Sequence, residues 1–289
     1  MSSEWRDRSL RELMEGHGVG ALLLSSPANF AWYTGGADNR VDYGDPVGVA
    51  SVLVTTDDAC ILTNNIEAPR MREEQTPEME VVEHPWHEEP AALLRELTGG
   101  AVVGTDFPSK SSPDLSAEIS PLRYVLDEDA IEDYRRLGED TVVAVSEAAD
   151  SVSPDTDELD AAAELSAACL GRGMFAPVLL AASEERLVRH RHPVPHGGSL
   201  GKQAMLVVCA ERGGLFVSLT RMIYFQEPDP QTVRHQEACE EVLRRMREEA
   251  TREGSTLAQA FAWNPSLVGA KAEETFVLGP NGPEVLASS

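Results

Sequence analysis

The side chains best suited to chemistry are three histidines that lie close together in the segment HRHPVPH: His190, His192 and His196. A neutral imidazole can ligate a metal ion, and its pKa near neutrality also suits it to act as a general base. With Glu211, these histidines could build a metal site. A His-x-His-Pro segment with no carboxylates assigned around it is more typical of a loop of solvated or hydrogen-bonded histidines. The segment alone therefore does not predict a metal centre.

The four cysteines are spread widely along the chain, at Cys60, Cys169, Cys209 and Cys239. No two of them form the CxxC pair that is typical of a zinc site or a redox couple. Cys60 and Cys209 fall in apolar β-like runs, and Cys169 falls in an alanine-rich helical stretch. We expect buried free thiols.

The pattern of secondary structure differs between the two halves of the chain. In the first half, apolar runs such as VGALLLSS, SVLVTT and AVVGTD alternate with amphipathic stretches, which predicts a mixed sheet covered by helices. The stretch SPANFAWYTGGADNRVDYGDP between the first two strands is predicted to be a long loop, because Gly, Asn, Asp and Pro are dense in it. The fold class is α/β with α+β character.

The second half begins with a connecting helix over residues 127–151 and an alanine-rich helix within SPDTDELDAAAELSAACL. The run AMLVVCAERGGLFVSLTRMIYF then predicts a hairpin with its turn at Arg212-Gly213-Gly214. A charged helix ending at Gly254 and two short strands around a Pro-Asn-Gly turn follow.

The bulk composition limits the partners that the protein can have. The chain has 49 acidic and 24 basic residues and a net charge of −25, and only Lys110, Lys202 and Lys271 are lysines. Such a composition is typical of a salt-adapted cytoplasm, and an ordinary acidic protein of a mesophile is the alternative. Either surface argues against nucleic acid and anionic lipid as partners, because both require clustered cations. No apolar run approaches the roughly 20 residues of a membrane span, and the first residues lack the apolar core of a signal peptide. We expect a cytoplasmic protein.

Four segments follow one another along the chain: VGALLLSSPANFAWYTG, TDELDAAAELSAACLGRG, the hairpin run SLTRM and the closing KAEETFVLGPNGPEVL. In this order they resemble the aminopeptidase P, prolidase and creatinase family. The resemblance implies a creatinase-like N-terminal domain over residues 1–125. It also implies a pita-bread metallopeptidase-like domain over residues 126–289, with an antiparallel sheet flanked by helices and a shortened second half.

The resemblance also implies where a metal pair would be held. In that family two divalent ions, manganese or cobalt, share two Asp, one His and two Glu ligands. The first Asp position falls at or near Cys209, the second falls on Ser218, and only the last Glu is retained, as Glu273. The His and the other Glu belong to a segment of several dozen residues that is absent after Gly254. We therefore expect no cofactor.

Three functions remain open. The chain could be a degenerate family member without Xaa-Pro peptidase activity. It could instead be a metal-independent C–N hydrolase like creatinase, with His192 as general base and Glu273 orienting a peptide or small C–N substrate. The third possibility is a non-catalytic binding or dimerisation protein, and a homo-oligomer is the expected assembly.

Overall fold

The structure, a computed structural model, describes residues 2–251, 260–279 and 281–288 of the chain. The chain folds as two compact units, Met1–Asp129 and Ala130–Ser289. In the described residues no helix is both long enough and apolar enough to span a bilayer.

The first unit is built on a five-stranded mixed sheet. Its strands are β1 (Ala21–Leu24), β2 (Ala50–Thr55), β3 (Ala59–Asn64), β4 (Val81–His84) and β5 (Val103–Thr105). They lie in the order β4-β3-β2-β1-β5, in which β1, β2 and β3 are antiparallel neighbours and both outer strands pair in parallel. This is the mixed sheet that the alternating pattern predicted.

Helices and short helical turns accompany the sheet of the first unit. They are α1 (Ser2–His17), α2 (Pro27–Thr34), α3 (Ala68–Arg70) with the π-helical turn Met71–Gln75, α4 (Ala91–Leu97), and α5 (Ser116–Ile119) with the 3-10 turn Ser120–Tyr124. Leu10 and Met14 of α1 and Phe30 of α2 are buried with Leu22 and Ile61 of the sheet. The prediction of a long loop was wrong at its start, because Pro at the first helical position and buried Phe30 favour α2 there.

Asp106 fixes the link between β1 and α2. Its carboxylate accepts hydrogen bonds from the backbone N–H of Ser25 (2.8 Å) and Ser26 (3.0 Å), the Ser26 hydroxyl (2.6 Å) and Asn29 Nδ2 (2.8 Å). Asp106 is itself buried. These hydrogen bonds tie the turn after β1 to one buried carboxylate.

In the described part of the second unit the helices are α6 (Glu128–Ser151, which starts just before the division), α7 (Glu158–Leu170), α8 (Glu184–Leu187) and α9 (Pro230–Arg245), which continues as the π-helical turn Met246–Ala250. Both the connecting helix and the alanine-rich helix were predicted. Asp157 caps α7 by accepting from Leu159 N at 2.8 Å. The predicted end of α9 at Gly254 lies outside the described residues.

The strands of the second unit form separate small sheets. An antiparallel sheet has the order β6 (Phe175–Ser183), β7 (Gln203–Arg212), β8 (Leu215–Tyr224). Another has the order β13 (Gly282–Ser288), β12 (Glu274–Gly279), β9 (Ala260–Trp263), and a strand pair joins β10 (Ser266–Leu267) to β11 (Ala270–Lys271). The hairpin between β7 and β8 is confirmed. Its two turn residues, Gly213 and Gly214, have φ values of 61° and 78°, as a type I′ turn requires.

Candidate functional site

Cys209 and Ser218 lie on one face of the β7–β8 hairpin. They are the two positions at which the family resemblance implies Asp ligands. Cys209 of β7 lies directly opposite Ser218 of β8, and Val207 lies opposite Thr220. Because side chains two residues apart share one face of a strand, Cys209, Ser218 and Thr220 project to the same side of the sheet. Farther along this face Val207, Met205 and Met222 pack with Leu180 and Leu187 in an apolar core.

Cys209 and Ser218 are bonded to each other. The Ser218 hydroxyl donates to Cys209 Sγ at 3.0 Å. The backbone of Ser218 is held from β12, because Thr275 Oγ1 accepts from Ser218 N (2.8 Å) and donates to Ser218 O (2.9 Å). Both side chains are half-buried, so Cys209 is less buried than the apolar run around it led us to expect.

Glu273 comes to the same place from the segment between β11 and β12. Its carboxylate accepts from Thr220 Oγ1 at 2.5 Å and from Lys271 Nζ at 3.3 Å through Oε2, and from Asn264 Nδ2 at 3.3 Å through Oε1. Glu273 and Lys271 are only 3% and 6% exposed. We call Cys209, Ser218, Thr220, Asn264, Lys271, Glu273 and Thr275 the Glu273 cluster.

The electrostatics of the cluster keep the thiol neutral. Burial raises the pKa of Cys209, and the nearby Glu273 carboxylate raises it further, whereas the hydrogen bond from Ser218 and the charge of Lys271 lower it. The net direction is upward. A thiol with a raised pKa is a poor nucleophile and a poor metal ligand, because both roles require the thiolate.

The donor set of the cluster does not fit a pair of hard divalent ions. Such ions are held by several carboxylate, carbonyl or water oxygens. The cluster offers one carboxylate, one amide oxygen, a thiol and three hydroxyls. That carboxylate already contacts the ammonium of Lys271. Over the described residues, no group of three or more His, Cys, Asp and Glu side chains is arranged to hold a metal ion.

The loop that carries the histidines is tied to α7 by a buried carboxylate. Glu158 accepts from Ser183 N (2.7 Å) and His196 N (3.3 Å) and forms an ion pair with Arg186. Glu158 is fully buried, whereas His190, His192 and His196 are exposed. Among the described residues, no hydrogen bond joins His192 to the Glu273 cluster.

Glu211 lies at the opposite end of β7 from the strand end that leads into the histidine segment, because Glu211 pairs with Phe175 at the start of β6 and Ala204 pairs with Ser183 at its end. It is buried beside the turn of the hairpin, where its Oε1 accepts from Gly214 N at 2.8 Å. His190 lines a cavity together with Met205, which is six residues before Glu211 on β7. At about 3.4 Å per residue, the two places are roughly 20 Å apart. One ion therefore cannot be shared by Glu211 and His190.

That cavity is a concave feature next to the cluster. Its volume is about 380 Å³, and its walls come from residues 187–191, Met205, residues 266–268 and residues 270–271. Lys271 belongs both to this lining and to the Glu273 cluster. Its role was not predicted from the sequence, where it counted only as one of three lysines. Thr220 and Asn264 were missed as well, since their contacts join segments distant in the chain.

Family comparisons cover most of the chain in two parts. The model of the creatinase/prolidase N-terminal domain matches residues 6–118, and the model of metallopeptidase family M24 matches residues 132–266. The second match ends before Glu273. No curated protein sequence matches the chain.

Solved structures match from end to end. The prolidase from Pyrococcus horikoshii OT3 is 15% identical, with 98% of each chain covered and a TM-score of 0.77. The Xaa-Pro dipeptidase from Bacillus anthracis is 14% identical, with 99% of this chain and 98% of that chain covered and a TM-score of 0.74. The X-Pro aminopeptidase from Thermotoga maritima MSB8 is 14% identical, with 98% and 97% covered and a TM-score of 0.71. At these identities the likeness establishes the fold, a creatinase-like unit followed by a pita-bread-like unit.

Proposed function

We propose, on the premise that the chain belongs to the prolidase and aminopeptidase P-like family, that its M24 unit is a metal-free ligand-binding domain that does not hydrolyse Xaa-Pro bonds. The observation that carries the proposal is the buried pair of Lys271 and Glu273. In this pair, Lys271 supplies the positive charge that the Glu273 carboxylate would otherwise obtain from a metal ion.

The geometry of Glu273 supports this proposal in a second way. Both of its oxygens already accept hydrogen bonds, from Thr220 and Lys271 on one oxygen and from Asn264 on the other. A divalent ion bound to the same oxygens would lie within a few ångströms of the Lys271 ammonium. In a site of reduced dielectric constant, that repulsion amounts to several kcal/mol.

The remaining family positions cannot compensate for that repulsion. Cys209 and Ser218 form a neutral hydrogen-bonded pair, and neither supplies the negative charge with which an Asp balances a bound cation. A family member described as a metallopeptidase needs its ions to activate water. We infer that this unit has kept the fold and lost that step.

Metal-independent hydrolysis with His192 as general base has weaker support. A general base must come within about 3 Å of the proton that it takes, directly or through one water molecule. His192 is exposed, and it is His190 that lines the cavity beside Lys271. Binding is therefore the function that the geometry favours.

The test is hydrolysis of Xaa-Pro dipeptides and of longer peptides with Xaa-Pro at the N-terminus, with and without added Mn²⁺ or Co²⁺. We expect no release of product above the rate in buffer under either condition. Metal-dependent turnover that disappears in the variant Glu273→Gln contradicts the proposal. Turnover without metal that disappears in His192→Ala contradicts it too, and assigns the hydrolase function instead.

A further inference from the structure

The cavity beside the Glu273 cluster has an unusual charge for this protein. Acidic residues outnumber basic residues by 49 to 24 in the chain. The described residues that line the cavity nevertheless include Arg189, His190, Arg191 and Lys271 and no Asp or Glu. The negative net charge of the protein repels anions, but a cavity whose charged lining residues are all basic attracts them.

Arg191 is the cation in this lining that is available to a ligand. Its Nη2 donates to Asn264 Oδ1 at 3.4 Å, a neutral partner, and no carboxylate of the described residues is paired with it. Lys271 is neutralised by Glu273, and Arg189 is 4.0 Å from Glu185 on the exposed surface of the loop. A guanidinium without a carboxylate partner is well suited to bind the two oxygens of a ligand carboxylate.

Apart from Ser266, the other residues that line the cavity are apolar. Leu187 and Met205 belong to the buried core of this face, and Val188, Leu267 and Val268 complete the apolar lining. A volume of about 380 Å³ is within the range of small-molecule sites. The cavity therefore offers one anionic recognition point beside an apolar compartment.

We propose that this cavity binds a small organic carboxylate with an apolar body, whose carboxylate pairs with Arg191. This inference rests on the proposed function, because it names the ligand class of a binding domain. Asn264 connects the ligand to the cluster, since it accepts from Arg191 and donates to Glu273. Arg191 and Asn264 thus act as the recognition pair, with Lys271 and Glu273 as their rigid support.

The proposal is tested by titration calorimetry of the full chain in buffered KCl with hexanoate as the probe. We expect binding of one hexanoate per chain, and at least a tenfold weaker affinity in Arg191→Met, which retains an apolar side chain without the guanidinium. The matched control is Arg136→Met on the exposed surface of α6, which should bind hexanoate as the unmodified protein does. Equal thermal midpoints show that both variants fold.

Two further kinds of ligand test the roles of the carboxylate and of the apolar body separately. Hexanamide, the neutral analogue, should bind weakly and with no difference between the unmodified protein and Arg191→Met. Shorter carboxylates should lose roughly fourfold in affinity per methylene group removed, as expected for an apolar compartment. The proposal is overturned if hexanoate does not bind, if Arg191→Met binds it equally well, or if acetate or inorganic phosphate binds as tightly as hexanoate.

These outcomes are independent of the test for hydrolysis. Metal-dependent cleavage of Xaa-Pro peptides contradicts the proposed function whether or not hexanoate binds. Absence of hexanoate binding in a chain that neither holds metal nor cleaves peptides contradicts the ligand class alone.

Discussion

At the scale of single residues, the charge of Glu273 is balanced within the protein. Lys271 and Glu273 are both buried, and Thr220 and Asn264 complete the hydrogen bonding of the carboxylate. The positions at Cys209 and Ser218 could be recognised from the sequence as lacking carboxylates. The ion pair between Glu273 and Lys271 could not be recognised from the sequence. A Lys two residues before a Glu is equally typical of a strand whose side chains are exposed. Only the placement of β11 against α9 and β8 buries it.

Lys271→Met should destabilise the second unit by roughly 3 kcal/mol, because it leaves a buried carboxylate without its counter-charge. The double variant Lys271→Met/Glu273→Gln removes both charges, and we expect it to recover most of that loss. Urea unfolding followed by circular dichroism measures both. If the single variant is as stable as the unmodified protein, the pair has no structural role.

Among the helices and strands, those with strong local sequence signals were predicted correctly. The Gly-Gly turn fixed the hairpin of β7 and β8, and Asp157 marked the start of α7. Strand β6 was not identified from the sequence. Its burial pattern is exposed in the middle and buried only toward its end, so it lacks the strict alternation that indicates a half-buried strand. Its pairing with β7 decides its conformation.

Helix α6 and strand β13 approach each other closely at Gly138. A Cβ atom at Gly138 of α6 would lie 2.1 Å from the backbone oxygen of Leu286 on β13. We expect Gly138→Ala to lower the free energy of unfolding by about 1–3 kcal/mol, because the strand must move away from the helix. Gly16→Ala in α1 is the matched control, since no atom lies within 4 Å of its added methyl group. A Gly138→Ala variant as stable as Gly16→Ala contradicts the close approach of α6 and β13.

At the scale of the whole molecule, the acidic charge is the property with the widest consequence. A net charge of −25 on 289 residues opposes compaction, and added salt screens that repulsion. The fold class could be predicted from the order of elements and four short resemblances. The predicted shortening of the second half falls around residues 252–259, outside the described residues, and stays a prediction, as does assembly into a homo-oligomer.

The thermal midpoint of unfolding should rise with KCl between about 0.1 and 2 M, because the Debye length falls from about 10 Å at 0.1 M to about 3 Å at 1 M. Most of the rise should come below about 1 M, as expected for screening. Differential scanning calorimetry at a series of KCl concentrations measures it. A midpoint that is constant or falls over this range contradicts adaptation to a salt-rich cytoplasm.

The Glu273 cluster is expected to hold no pair of divalent ions, and a measurement of metal stoichiometry decides whether it does. The full chain is incubated with excess Mn²⁺ or Co²⁺, dialysed against metal-free buffer with KCl, and measured by inductively coupled plasma mass spectrometry, with Glu273→Gln treated in parallel. We predict far less than one ion per chain in both proteins, because Lys271 already neutralises the carboxylate. Two ions per chain in the unmodified protein, lost in Glu273→Gln, would mean that the cluster does hold a metal pair.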